Sequence, residues 1–261
     1  MTDETLLQTI LDEQDEYAEA KPPAISRMTR GLSKPLTQLT DHMIPPEAIE
    51  TALMSADWVA SASIRRAAIG HDFKDLEACE GAVDDIRRWA IGYAATSGGA
   101  AGALGAAGLA IDIPTTITLA LRSARLTGLA YGFGADTEAE RIYILDILAL
   151  AAANSMDEKH AALARLDVEQ AQMDPGSWGK IVVLTGQSAG AMSAMRRVAA
   201  VLGLNLASRK IAQITPIVGA VVGASVNASF QSDVIRAARH AYRARWLAEH
   251  EKLITHKTTT G

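Results

Sequence analysis

Apolar residues recur at three- and four-residue spacing along most of this chain, the period of a helix with one buried face. The first such stretch runs to Ala20, with Leu6, Leu7, Ile10 and Leu11 on one side, and Pro22-Pro23 ends it. A short helix is expected from Ala24 to Arg30, with Gly31 as its stop. Pro35, Pro45 and Pro46 punctuate the next segment. The pattern then predicts a helix from Glu47 to about Ala68, stopped by Gly70. Asp72 is placed to cap the next one, which carries Phe73, Leu76, Cys79, Ile86, Trp89, Ala90 and Tyr93.

The chain then changes character. Residues 97–121 read SGGAAGALGAAGLAIDIPTTITLAL, with glycines at 98, 99, 102, 105 and 108. Pro114, a helix-starting residue by rule, divides the segment into two halves, the second continuing to Tyr131. Gly132 or Gly134 stops it. Thr137 with Glu140 forms a capping-box pattern that opens a helix to about Ala153. Asn154 or Ser155 caps another, to about Met173. A second apolar, small-residue segment spans Ile211 to Phe230 and contains Pro216. A basic helix from Ser232 to about Leu253 closes the fold, and HKTTTG is a frayed tail.

Composition points the same way. Alanine occupies 49 of 261 positions, beside 20 glycines and only 5% aromatic residues. Alanine favours helix and disfavours strand, so the expectation is an all-α, single multi-helix domain with two central Gly/Ala-rich segments. Residues 1–30 form a helical extension, 31–255 the domain and 256–261 a tail. One cysteine, Cys79, excludes an internal disulfide framework and a cysteine-based zinc cage. The N-terminus is acidic and lacks an apolar signal core, so a cytoplasmic location is expected.

The glycine pairs Gly98/Gly102 and Gly219/Gly223 each put two glycines on one helical face, where backbones approach closely. Such faces serve a tight soluble bundle, a segment lying against or in a bilayer, or the walls of a lipid or small-molecule pocket. Asp112 stands in an apolar stretch, where a bare carboxylate is expensive. It either caps the helix after Pro114, pairs with Arg122 or Arg125, or is a polar feature of a binding site. Asn227 interrupts a small-residue helix and must bond a neighbour.

Charge is uneven. The net charge is −5, yet the last helix concentrates Arg236, Arg239, Arg243 and Arg245, a basic surface suited to an anionic contact. Its Tyr242 and Trp246 fit a bilayer surface. Overall acidity and the lack of a binding motif argue against nucleic acid. An acidic face of Glu77, Glu80, Asp84 and Asp85 reads as solvated rather than as a cation site. No spacing of the six histidines makes a metal site, and no phosphate loop indicates a cofactor.

One motif points elsewhere. Gly186-Gln187-Ser188-Ala189-Gly190 matches G-x-S-x-G after a β-branched run, the setting of a nucleophile elbow. Ser188 would need an acid among Asp233, Glu249 and Glu251, and a base among His240, His250 and His256. The helical pattern before it leaves no sheet to hold an elbow, so a serine hydrolase is the alternative reading.

The glycine-rich run through Gly102, Gly105 and Gly108 into Asp112-Ile113-Pro114, then Arg122 and Tyr131-Gly132, resembles the EcsC family. So do Pro216-x-x-Gly219, Asn227 and the basic helix ending near Arg245. The family is bacterial and takes its name from a protein encoded beside an ABC transporter. The resemblance implies a helical protein, cytoplasmic or membrane-associated, and carries no catalytic residues. The functional expectation is a non-enzymatic protein, peripheral at the inner face of a membrane and acting with a membrane-protein partner. A soluble lipid or small-molecule carrier is the further alternative.

Overall fold

The computed structural model describes residues 3–22, 46–64, 70–104, 106–134, 137–173, 189–210 and 216–258. Among them are eight helices and no strand. They are α1 (Asp3–Glu19), α2 (Pro46–Ile64), α3 (Leu76–Ala103), α4 (Ala106–Ala130), α5 (Glu138–Ala152), α6 (Met156–Gln172), α7 (Ala189–Lys210) and α8 (Pro216–Thr258). The expected helix at 24–30 lies outside the described residues, as do residues 65–69 at the end of the one expected from Glu47.

Several helix ends form as their sequences demand. Thr137 accepts from the Glu140 amide at 3.1 Å, and Ser155 accepts from the Glu158 amide at 3.1 Å. Glu158 reaches back to the Asn154 amide at 2.7 Å. At the end of α4, Gly132 takes a positive φ of 87°. There Phe133 N–H donates to the Gly128 carbonyl and Gly132 N–H to that of Leu129, a Schellman closure.

Two helix starts differ from expectation. Asp75, not Asp72, caps α3 and accepts from the Ala78 amide; Asp72 is used one turn earlier, accepting from Lys74 N–H. Phe73 therefore precedes the helix, in an exposed turn. Pro114 does not start a helix but lies inside α4, and the glycine-rich segment breaks earlier, around Leu104. A proline brings no N–H to the carbonyl four residues back. Pro114 is exposed, and α4 continues on both sides of it.

The long helix α8 is the organising element. It packs most extensively on α3, then on α4 and α5. Helix α4 is flanked by α2 and α3, while α5 lies against α6, α7 and α8. From Tyr143 to Ala152 every residue of α5 is buried, which explains its apolar circumference. Helix α1 rests on the outside of α8. Asp84 and Glu80 of α3 meet Arg239 and Arg243 of α8, so α3 and α8 are antiparallel. Asp112 and Thr116 of α4 meet Asn227 and Gln231, so α4 and α8 are parallel.

Small residues set how closely these helices approach. A Cβ on Gly98 would lie 2.5 Å from the Gly223 carbonyl oxygen and 2.5 Å from Asn227 Nδ2. One on Gly223 would strike the Gly98 carbonyl and come within 3.3 Å of Gly102 Cα. Backbone thus faces backbone where α3 meets α8. Farther along, Gly128 receives the ring of Tyr242.

Candidate functional site

One end of the molecule stands apart in chemistry. It consists of the last turns of α3, the first turns of α4 and the first turns of α8, brought together by the glycine contact. From Trp89 to Leu121 the only charged residue is the buried Asp112, and from Ile211 to Ser232 there is none. Leu104, Ile111 and Val221 are exposed there at 62%, 65% and 71% of their surface. Monomeric proteins scatter single exposed apolar residues, but three on one end whose described surface carries no charge make that end apolar.

Most described polar side chains of this end bond within it, while Asn227 Oδ1 and Gln231 Oε1 are buried without a partner. Asp112 and Asn227 are both buried, and Asn227 Nδ2 donates to Asp112 Oδ1 at 2.6 Å. Asp112 is therefore an interhelical anchor inside α4, bonded to Asn227, rather than a helix cap. Gln231, one turn along, donates to the Thr116 carbonyl at 3.3 Å. The hydroxyls of Thr96, Thr115, Thr118 and Ser225 each donate to the carbonyl four residues earlier, and that of Ser97 to the one three earlier. A surface of this kind has little left to offer water.

The other residues singled out by sequence distribute around this end. Gly102 and Gly223 lie buried at the α3–α8 contact, and Gly108 packs on the Ala101 carbonyl. Pro216 opens α8 and Gly219 sits in its first turn. Gly105 and Ser188 lie outside the described residues. Ala189-Gly190 begin α7, a helix.

The arginine group of α8 requires correction. Arg236 is exposed, but Arg243 and Arg245 are only 6% and 4% exposed. Arg243 donates through Nε and Nη2 to Glu80 at 2.5 and 2.6 Å, and through Nη1 to Glu13 of α1 at 2.6 Å. Arg239 pairs with Asp84. Arg245 donates to Glu140 at 2.7 Å and lies over the rings of Phe133 and Tyr143, 4.0 and 5.2 Å from their centroids. The basic helix is therefore largely neutralised inside the fold. Part of the acidic face supplies the partners: Glu80 and Asp84 are i,i+4 on α3, matching Arg239 and Arg243, i,i+4 on α8.

Further buried charges belong to no motif. Asp57 of α2 binds Arg125 of α4 and accepts from Arg141 Nε of α5 at 3.0 Å. Asp146 of α5 accepts from Arg165 at 3.0 Å and Arg197 at 3.1 Å, tying α5 to α6 and α7. Lys159 donates to the carbonyls of Tyr17 and Ala20, satisfying the C-terminus of α1. The cavity beside it, about 30 Å³ and lined by Tyr17, Lys159, Asp233 and Arg236, holds a water at most. Nothing there accommodates a lipid. Cys79 is buried, and burial with Glu80 nearby pushes its thiol up to about 12, so it is no nucleophile. Among the described residues no cluster of histidine, cysteine and carboxylates could hold a metal.

Glu169 beside Asp146 makes a pH prediction. Burial, then its hydrogen bond to Asp146, push the Glu169 carboxyl up to about 8. The fold thus keeps a proton that the unfolded chain releases near 4.3. Its contribution to stability is complete below that value and is lost as pH rises through 8. Glu169→Gln, which cannot ionise, should flatten the decline in melting temperature between pH 6 and pH 9. A variant that declines as steeply as the parent contradicts this.

Comparison with known proteins adds relatives but no activity. The EcsC protein family model matches residues 6–247. The uncharacterized protein YdbA of Bacillus subtilis (strain 168) is 28% identical over 165 residues, 61% of this chain and 54% of that protein. This chain thus spans about half the length of that curated relative. No solved structure matches.

Proposed function

This chain belongs to the EcsC protein family, and on that footing we propose that it is a non-enzymatic protein that associates peripherally with a membrane. The apolar end of α3, α4 and α8 would enter the bilayer. The observation that carries this reading is the exposure of Leu104, Ile111 and Val221 on an end whose described hydroxyls bond their own helices and whose one carboxylate, Asp112, is buried. Among the described residues no helix is long and apolar enough to cross a membrane, so contact would be confined to one leaflet.

The energetics suit a reversible contact. Burying three such side chains that are already part covered contributes ~1–2 kcal/mol each. The arginines of α8 add less than their number suggests, since Arg243 and Arg245 are buried against carboxylates. Attraction should therefore rest on apolar insertion and depend only weakly on salt.

Flotation with phosphatidylcholine vesicles tests this. The protein should float with them at low and high salt. Leu104→Glu, Ile111→Glu and Val221→Glu together should weaken binding at least ~10-fold, since exposed carboxylates resist leaving water. A protein that stays unbound to neutral and anionic vesicles at every salt concentration removes the proposal.

A further inference from the structure

We infer that Arg122, stacked on Trp89, forms a seat for the phosphate of a phospholipid, held at the height where headgroups would lie. This inference rests on the membrane reading above and adds a ligand and an orientation to it.

Arg122 differs from its neighbours. Arg125, Arg239, Arg243 and Arg245 each hold a carboxylate. Arg122 makes no ion pair among the described residues, and its buried Nε has no hydrogen-bond partner. Its guanidinium lies 5.2 Å from the centre of the Trp89 ring. Trp89 in turn stacks on Tyr93, with centroids 5.6 Å apart and planes 22° from parallel. Both rings are half-exposed. With Nε buried, a guanidinium fixed on a ring face is left its two Nη groups to match two phosphate oxygens. Trp and Tyr are the residues that favour the boundary between lipid tail and water.

Height is the second line of support. At 1.5 Å per residue, Tyr93 stands ~16 Å along α3 from Leu104, and Arg122 ~24 Å along α4 from Ala106. The first acid of α8, Asp233, is ~18 Å beyond Val221. One leaflet of hydrocarbon is ~15 Å thick. With the Leu104 turn at the bilayer centre, Tyr93 falls at the edge of the hydrocarbon, while Trp89, ~22 Å along α3 from Leu104, and Arg122 beside it fall among the headgroups. The pairings that set the registers, Asp84 with Arg239 and Asp112 with Asn227, also bring Arg87, Arg88 and Arg236 toward the level of Arg122. These three are exposed, so the seat belongs to a collar of cations. The molecule would stand end-on, with the Leu104 turn deepest.

The test uses the full chain and phosphatidylcholine vesicles. Arg122→Gln should raise the lipid concentration for half-binding about 5- to 10-fold. Arg122→Lys should raise it less, since the charge stays while the planar fork is lost. Melting temperatures should hardly move, since Arg122 has no ion pair among the described residues to lose. Nitroxides placed by Leu104→Cys and Arg88→Cys report depth, because buried Cys79 stays unlabelled. The label at 104 should fall in hydrocarbon and the label at 88 at the phosphate level. Inorganic phosphate at millimolar concentration should not displace the protein. Unchanged binding by Arg122→Gln, or a label at 88 in open water, overturns the seat while the membrane reading stands. Displacement by phosphate would make it a site for the free ion and overturn the lipid assignment. Failure of the parent protein to bind vesicles overturns both.

Discussion

Gly223→Ala is expected to destabilise the bundle by about 3 kcal/mol, and Gly98→Ala by a similar amount. Each adds one methyl group, and alanine is intrinsically the better helix former by about 1 kcal/mol. Sterics decide against it. The new Cβ at 223 would meet the Gly98 carbonyl, and the one at 98 would meet the Gly223 carbonyl at 2.5 Å. Backbone atoms cannot rotate aside as a side chain can, so α3 and α8 must separate along their most extensive contact. The same α3 provides the control. Around Gly81 and Gly92 an added Cβ meets nothing within 4 Å. Gly81→Ala and Gly92→Ala should therefore stabilise by about 0.5–1 kcal/mol each. Thermal denaturation of the four variants reads the contrast directly. Equal effects at all four positions would show that the close approach is not the cause.

Arg245→Ala should cost about 3–5 kcal/mol, the range for breaking a buried pair from one side. It strands Glu140, itself buried, whose carboxyl is already raised by burial more than Arg245 lowers it. It also empties the space against the rings of Phe133 and Tyr143. Glu140→Ala should cost a comparable amount by stranding the guanidinium. The double variant should cost clearly less than both singles added, because neither charge is then left alone. Chemical denaturation of the full cycle measures this, and strict additivity would mean that the two groups do not act as a pair.

Much of the fold is legible in the chain because local chemistry decides it. Thr137, Ser155 and Gly132 end helices by bonds to their own neighbours, and the helical period shows the class. Pro114 escapes local rules because the preference of proline for a first turn is only statistical; packing of α4 on α2, α3 and α8 overrides it. Asp112 escapes them for a related reason. A carboxylate in an apolar run demands a donor, but whether the donor is local or 115 residues away is a tertiary fact. The arginines of α8 show the same limit. Charge on a helix is visible in sequence, while burial of Arg243 and Arg245 depends on Glu80 and Glu140 arriving opposite them. Asp57 and Asp146 belong to no motif, so nothing local marks them as buried anchors. The match between Glu80/Asp84 and Arg239/Arg243 is the one available signal, two i,i+4 pairs of opposite sign. Trp89 fits an apolar helix face by spacing; its exposure beneath Arg122 follows only from the α3–α4 arrangement.

The position of α8 in the chain bears on how the protein is made. It is the last helix to be synthesised among those described, and it carries Gly223, Asn227, Arg239, Arg243 and Arg245. Their partners at Gly98, Asp112, Asp84, Glu80 and Glu140 all emerge from the ribosome earlier. Until α8 arrives, the nascent chain holds the glycine face of α3 and several carboxylates without their mates. Consolidation of the bundle is therefore a late event in synthesis, and a stalled or prematurely terminated chain leaves a species with its apolar helices uncovered.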